Sequence, residues 1–408
     1  MRGGRLLLVA LVAAAAGGLF ALVGAKATGW LTEHETQTVL VPEPAAPVGI
    51  SRSERAVAAA KPLLGNSFHP DRIYAGRSNG VVTIFSRVSS GSGLAESQGS
   101  GFVVSRDGYI LTNSHVITNA GDASAAGGDV TPASQVFVEF EDGDRAAATI
   151  VGWDLFDDVG LLQVDPSAHA LAPVPLGDSA AVAVGEPVAV IGSPFGNENS
   201  LAVGVVSAVG RSINSLTSGF NLVDAIQIDA PINHGNSGGP LFDARGRVIG
   251  ITAQINSTTG RAEGVGFAVP INSAKRSMAQ LIARGEVAYA YVGIQSQDLT
   301  PSLARRFSYP VQRGALIDVV RSGTPAARAG LHGGSQEVEV AGAKLTVGGD
   351  VIVAIAGTRV ESADDLVRLV AERFRPGQTA TFDVYRGGKR LRLPVTFDRR
   401  PDHPEAGR

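Results

Sequence analysis

From about Asp71 to Val269 the chain is written in short β-branched runs, each closed off by glycine. Gly80-Val-Val-Thr-Ile-Phe85, Gly101-Phe-Val-Val-Ser105, Tyr109-Ile-Leu-Thr112, Val136-Phe-Val-Glu-Phe140, Val188-Ala-Val-Ile-Gly192, Val248-Ile-Gly-Ile-Thr252 and Gly264-Val-Gly-Phe-Ala-Val269 follow one another without a helical period between them. β-Branched side chains are stiff at χ1 and suit a pleated surface, while glycine supplies the turns. Strands spaced in this way build barrels or sandwiches; a doubly wound α/β sheet would need a helix between them. Glycine at 51 of 408 residues points the same way, being well above an ordinary ~7%. A helix is expected over 273–284. After it comes a smaller unit, about 288–398, with strands at 314–320, 350–355, 379–385 and 390–396. Its helix, 363–374, is started by the capping-box-like Ser362-Ala-Asp-Asp365. A Gly-rich insert, His332–Val347, is read as loop.

Charge and cysteine content narrow the chemistry. With 35 basic against 38 acidic residues and a net charge of −3, the chain lacks the basic excess of a nucleic-acid binder, and none is expected as a partner. The absence of cysteine removes disulfides, thiolate metal sites and a thiol nucleophile. The acids show no metal-ligand spacing, so no metal and no cofactor are expected. His69 and His169 lie in polar text and are read as solvated.

The N-terminus points out of the cytoplasm. Arg2 and Arg5 precede 18 uncharged residues from Leu6 to Val23, a length on the border between a signal peptide's apolar core and a membrane span of about 20 residues. Two readings stay open for 1–32. One is an uncleaved single-pass anchor with the catalytic part outside the cytoplasm. The other is a signal peptide cut near Ala27, at Ala25-Lys26-Ala27, releasing a secreted or periplasmic protein. Residues 33–69 read as a linker, with a Pro-rich spacer at 41–47 and a short helix around Ser53–Leu64.

Three segments of the β region carry reactive side chains. Gly235-Asn236-Ser237-Gly238-Gly239-Pro240 sets a serine among glycines, which keep its hydroxyl accessible and turn N–H groups into one pocket. The Gly-x-Ser-x-Gly string by itself also fits an ordinary turn or an α/β-hydrolase elbow. Partner order separates these. In an α/β-hydrolase the histidine follows the serine, whereas here His115 lies upstream in Thr112-Asn-Ser-His115 and Asp158 opens Asp158-Val-Gly-Leu-Leu162. Asp157 beside it is a second carboxylate within the same reach. His–Asp–Ser is the chymotrypsin-like order, with base, orienter and nucleophile in that sequence.

Thr112-Asn-Ser-His-Val116, Asp158-Val-Gly-Leu-Leu162, Ile191-Gly-Ser-Pro-Phe-Gly196, Gly204-Val-Val-Ser-Ala-Val-Gly-Arg211, Ile226-Gln-Ile-Asp-Ala230, Gly235-Asn-Ser-Gly-Gly-Pro240 and Gly264-Val-Gly-Phe-Ala-Val-Pro270 together resemble the HtrA/Deg serine proteases over about residues 70–398. The resemblance implies a mainly β fold: a chymotrypsin-like protease domain of two six-stranded barrels over 70–284. It also implies His115 as general base, Asp158 as its orienter and Ser237 as nucleophile, with the N–H groups of Gly235 and Ser237 as oxyanion hole. Gly160 stands where the family usually has alanine, and Pro231 and His234 are less usual choices before the nucleophile.

The resemblance also implies that Pro231, six residues before the serine, lies at the base of the primary specificity pocket, with Ile232 beside it. No carboxylate waits there for Lys or Arg, so a small or medium aliphatic residue is favoured. Substrate is expected to pair as a strand along about Ala253–Ile255. Tyr291-Val292-Gly293-Ile294, Gly314–Leu331 and Gly349–Gly357 look like a PDZ domain over 288–398. The loop N–H groups of Tyr291, Val292, Gly293 and Ile294 would capture the C-terminal carboxylate of a peptide. The resemblance further implies a homotrimer, unfolded polypeptides as substrates and a role in envelope quality control. A non-catalytic peptide-binding chaperone or scaffold on the same fold is the alternative.

Overall fold

The structure is a computed structural model and describes residues 68–90, 93–120, 130–193, 200–215, 217–218, 220–232, 235–253, 265–340 and 342–402. The N-terminal apolar segment, the Pro-rich spacer, the short helix expected at 53–64, His234 and Ile255 lie outside the described residues. Among the described residues no helix is long and apolar enough to cross a membrane.

Phe68 is fully buried, and the chain then enters helix α1 (Pro70–Arg77), which Pro70 starts without losing a needed N–H. His69 is half-buried, and its carbonyl accepts from Arg72 N and Ile73 N, both at 3.1 Å. The first barrel follows, built from β1 (Val81–Ser90), β2 (Gly93–Val103), β3 (Tyr109–Thr112), β4 (Gln135–Glu139), β5 (Arg145–Asp154) and β6 (Val159–Val164). It closes in the order β1-β2-β3-β6-β5-β4. Helix α2 (Ser114–Ile117) leaves the end of β3. The second barrel uses β7 (Pro187–Gly192), β8 (Ser200–Asn214), β9 (Asn221–Ile228), β10 (Pro240–Phe242), β11 (Val248–Ala253) and β12 (Gly266–Pro270), closing as β10-β11-β12-β9-β8-β7. Closure leaves neither sheet with an open edge. Each barrel has its own apolar interior, around Ile84, Ile110 and Leu162 in one and Val190, Ile228 and Leu241 in the other. A third cluster that includes Phe102, Leu161, Ile191 and Phe242 lies between them.

Helix α3 (Ile271–Arg284) follows β12 and is ended by Gly285, whose φ of 72° lets its N–H reach the Leu281 carbonyl at 2.8 Å. The second unit contains β13 (Ala290–Tyr291), β14 (Ile294–Asp298), α4 (Pro301–Arg306), β15 (Ala315–Val320), α5 (Pro325–Arg328), β16 (Gln336–Val340), β17 (Ala343–Val347), β18 (Val351–Ile355), β19 (Thr358–Arg359), α6 (Ala363–Arg373), β20 (Thr379–Arg386), β21 (Lys389–Thr396) and β22 (Asp398–Arg399). Its main sheet runs β14-β15-β18-β20-β21, with β19 paired to β18, and its core centres on Ile317, Ile352, Leu366 and Phe382. Ser362 caps α6 by accepting from Asp365 N at 3.0 Å; the Asp365 carboxylate reaches back to Glu361 N at 3.1 Å.

Two readings are corrected. The 332–347 insert is no plain loop: β16 and β17 pair antiparallel from Gln336↔Val347 to Val340↔Ala343. The alternation in Gln-Glu-Val-Glu-Val and Ala-Lys-Leu-Thr-Val is that of a strand with one face half-covered. His169 is also not free in solvent. Its ring stacks on Phe140 with centroids 3.9 Å apart and 4° between planes, and its Nε2 lies 2.9 Å from Asp142 Oδ2.

Candidate active site

The three sequence-marked residues come from three differently built segments. His115 sits in α2, held at the end of β3 by the short extended link through Asn113. Asp158 precedes β6, and its φ of 50° is a left-handed position rarely taken by a residue with a side chain. Four contacts hold it there. His115 Nδ1 lies 2.8 Å from Asp158 Oδ2, Ser114 Oγ donates to Oδ1 at 2.7 Å and His115 N to Oδ1 at 3.2 Å; Asn113 Nδ2 donates to the Asp158 carbonyl at 2.8 Å. Asp158, not Asp157, is therefore the carboxylate that meets the imidazole. Asp157 turns the other way and accepts from the Tyr289 hydroxyl at 2.9 Å.

Burial pulls the His115 pKa down, while the Asp158 charge and its hydrogen bond push it up; the upward pair prevails and the net shift is above the usual 6.5. Fixing Nδ1 against a carboxylate leaves Nε2 as the ring atom free to take a proton.

Ser237 lies on a glycine-built turn between β9 and β10. Gly235 and Gly238 have φ of 97° and 86°. A Cβ on Gly238 would stand 2.2 Å from the Ser100 carbonyl and 2.3 Å from Thr112 Oγ1, so this turn packs against the first barrel only because position 238 has no side chain. Ser100 ties the two barrels together at this point: its N–H donates to the Ser237 carbonyl at 2.8 Å and its Oγ to the Gly235 carbonyl at 2.6 Å. Thr252 Oγ1 on β11 holds the Asn236 carbonyl at 2.5 Å. With these carbonyls engaged, the turn's shape is fixed while its nucleophile stays unspent: Ser237 Oγ is buried without a hydrogen-bond partner, and the N–H groups of Gly235 and Ser237 bond to no other described residue.

Of the expected pocket residues, Pro231 is exposed, with its carbonyl 3.5 Å from Asn236 Nδ2. Ile232 is buried in the second barrel's core beside Ile228, and Ala253 is buried at the end of β11. The departure at Gly160 has a physical reason: a Cβ there would meet Ile117 Cδ1 at 2.7 Å and the Asn113 carbonyl at 2.9 Å, so β6 and α2 approach more closely than alanine allows.

In the second unit, Tyr291, Val292, Gly293 and Ile294 line a cavity of about 210 Å³ whose far wall includes Leu366 and Val370 of α6. Gly293 has φ 84°, and any Cβ there would collide with Thr324 at 2.2 Å. The Val292 and Gly293 carbonyls are taken by Ala326 N and Arg321 N, both at 2.9 Å, and neither residue's N–H makes a backbone hydrogen bond to another described residue.

Residues 99–251 match the trypsin-like peptidase domain family and residues 290–397 the PDZ domain family. A solved HtrA-type protease, AlgW with tripeptide, is 32% identical, superposes with a TM-score of 0.67, and is covered over 97% of its chain by 81% of this one. The chain belongs to the HtrA-type serine proteases. Among curated HtrA relatives, a probable periplasmic serine endoprotease DegP-like of Hahella chejuensis is 39% identical over 307 residues, 75% of this chain and 58% of its own. Protease Do-like 1, chloroplastic, of Arabidopsis thaliana is 36% identical over 309 residues, 76% of this chain and 65% of its own. The chain thus spans a little over half the length of the curated HtrA relatives it matches.

Sequence reading missed one buried polar group beside this site. Asp154 Oδ2 accepts from Ser277 Oγ of α3 and from the Tyr289 hydroxyl, each at 2.6 Å, while its Oδ1 accepts from Phe156 N at 2.9 Å. Only the fold brings these residues together, across 123 and 135 positions of sequence.

Proposed function

We propose that the chain is an exported endoprotease that cuts unfolded or misfolded envelope proteins, with His115 as general base, Asp158 as its orienter and Ser237 as nucleophile. The observation that carries this reading is the hold on Asp158: Ser114 Oγ, His115 N and the His115 ring converge on its carboxylate. A binding module has no use for an imidazole oriented by a carboxylate, nor for an unspent serine on a glycine-built turn. In the reaction His115 Nε2 takes the Ser237 proton as Oγ attacks the scissile carbonyl, and the same proton is then delivered to the leaving amine. The N–H groups of Gly235 and Ser237 receive the oxyanion. Pro231, Ile232, Ala253 and Ile255 shape a pocket without a carboxylate, which favours small aliphatic side chains.

The PDZ groove at Tyr291–Ile294 takes peptide C-termini. Export follows from the Arg2/Arg5-flanked apolar segment, as a single-pass anchor or as a cleaved signal; the periplasmic naming of relatives supports the compartment. A homotrimer is part of the same reading.

The test is degradation of casein by the purified full chain and by Ser237→Ala. Loss of cleavage to background in the variant, with an unchanged sedimentation profile, is the expected result. Full activity in a clean Ser237→Ala preparation would remove the serine-protease reading, and intact casein with the parent protein would turn it toward the non-catalytic chaperone.

A further inference from the structure

The end of the described chain returns to the PDZ groove. β22 pairs antiparallel with β13, Ala290↔Arg399 and Tyr291↔Asp398, and Arg400 N then donates to the Tyr289 carbonyl at 2.9 Å. This places Arg400 beside the loop that opens the groove, and its side chain lines the same cavity as Tyr291, Val292 and Gly293. Its guanidinium carbon lies 3.9 Å from the ring centre of Phe220 and 4.5 Å from that of Phe156. It forms no ion pair and no side-chain hydrogen bond with another described residue, unlike its neighbour Arg399, which grips Glu286 through two bonds of 3.0 and 2.9 Å.

The geometry has a chemical consequence. Stacking on aromatic rings uses the face of a guanidinium, whereas its N–H donors lie in its plane and point from its edge. Arg400 packs against two rings and has no side-chain hydrogen-bond partner among the described residues, in a cavity where Val292 and Gly293 also present N–H groups without backbone partners. Asp154 and Asp157 favour the Arg400 charge but form no ion pair with it; leaving a mostly buried cation so is costly, and a carboxylate arriving at its N–H donors recovers the cost through charge-assisted hydrogen bonds.

We propose that Arg400 is the cation of this groove, receiving the terminal α-carboxylate of a bound peptide together with the loop N–H groups of Val292 and Gly293. The proposal rests on the peptide-groove reading above and names the residue that gives the groove its charge selectivity. Arg400 lies outside the three segments that mark the domain in sequence, which is why only the strand pairing of β22 with β13 exposes it.

The experiment compares two ligands by calorimetry in the full-length Ser237→Ala protein: a short peptide ending in an apolar residue as the free acid, and the same peptide as its C-terminal amide. The parent should prefer the acid. Arg400→Gln should lose roughly 10- to 100-fold in affinity for the acid and leave the amide nearly unchanged, the range expected for removing a charged hydrogen-bond partner. Arg400→Lys, which keeps the charge without the planar fork, should fall between. A second measurement needs no substitution that disturbs folding: the Arg400 Nε–H resonance of the parent, assigned by its absence in the Lys variant, should shift with the acid and not with the amide. An unchanged acid preference in Arg400→Gln, or an Nε–H signal indifferent to the acid, would overturn the assignment while leaving the groove intact. Failure of both peptides to bind the parent would instead remove the groove reading, and the assignment with it.

Discussion

Asp158 illustrates how much the chemistry depends on single atoms. Its carboxylate is presented from a left-handed backbone position and held by Ser114, His115 and Asn113. Because His115 must be neutral to accept a proton, activity should rise with pH along a limb whose midpoint lies above the usual 6.5, following the raised imidazole. Asp158→Asn removes the negative charge that raises it. The rate should fall roughly 10⁴-fold, the loss typical of a triad imidazole left in the wrong tautomer, and the remaining pH limb should move to lower pH. A pH profile of kcat/KM checks both, and a limb that stays in place would mean that Asp158 does not set the imidazole's charge. Gly160→Ala tests the close approach of β6 to α2. Ile117 Cδ1 can yield but the Asn113 carbonyl is backbone, so overpacking of about 1–3 kcal/mol is expected in a denaturant titration, with reduced turnover because Asn113 also holds Asp158. His115, Asp158 and Ser237 were legible because each motif is local. The choice of Asp158 over Asp157 by contact was not, since it depends on which way a strained turn aims two adjacent carboxylates.

At the scale of elements, the turn between β5 and β6 is tied to α3 and to the connector that follows it. Asp154 collects Ser277, Tyr289 and the Phe156 amide, and burial together with the Asp157 charge pushes its pKa up to about 6. An acid whose folded value is raised holds its proton more tightly folded than unfolded. Its contribution therefore favours the fold most below 3.8 and is lost as pH climbs from there to about 6, after which it is constant. Asp154→Asn can still accept from Tyr289 and Ser277 but does not titrate. The difference in melting temperature between parent and variant should thus change across that window and be flat above it; a difference independent of pH would show that Asp154 does not titrate there. The strands themselves were readable from their β-branched runs, α3 as the helix expected over 273–284, and α6 from its capping-box-like start. The β16–β17 hairpin was not, because its exposed Gln, Glu and Lys positions and glycine-rich flanks give it the composition of a loop.

At the scale of the whole molecule, the question is how the PDZ domain speaks to the site. The connector is not slack. Tyr289 is anchored on Asp154 and Asp157, Ala288 N reaches Gln280 at 3.3 Å, and Arg399 clamps Glu286. Helix α6 meets the protease domain through Arg368–Asp224 at 3.7 Å and Glu372–Arg276 at 3.5 Å, and Phe220 and Asn221 help to line the peptide cavity. These ion pairs are partly exposed and worth little singly, so the packed connector and the contact of Arg400 with Phe156 and Phe220 are the stronger routes for what the PDZ domain transmits. A bound peptide can shift the site only by its differential affinity for two arrangements of these segments. A coupling of ~1–3 kcal/mol would appear as roughly 5- to 150-fold activation. The competing mechanism is tethering, in which the groove raises local substrate concentration without altering the site. A short chromogenic substrate that does not occupy the groove separates them. Adding a separate C-terminal peptide should raise its turnover if the domains are coupled, and Tyr289→Phe, which cuts the connector's hold on Asp154 and Asp157, should weaken that response. An unchanged rate at saturating peptide, with binding verified by calorimetry, would reject coupling and leave the tether.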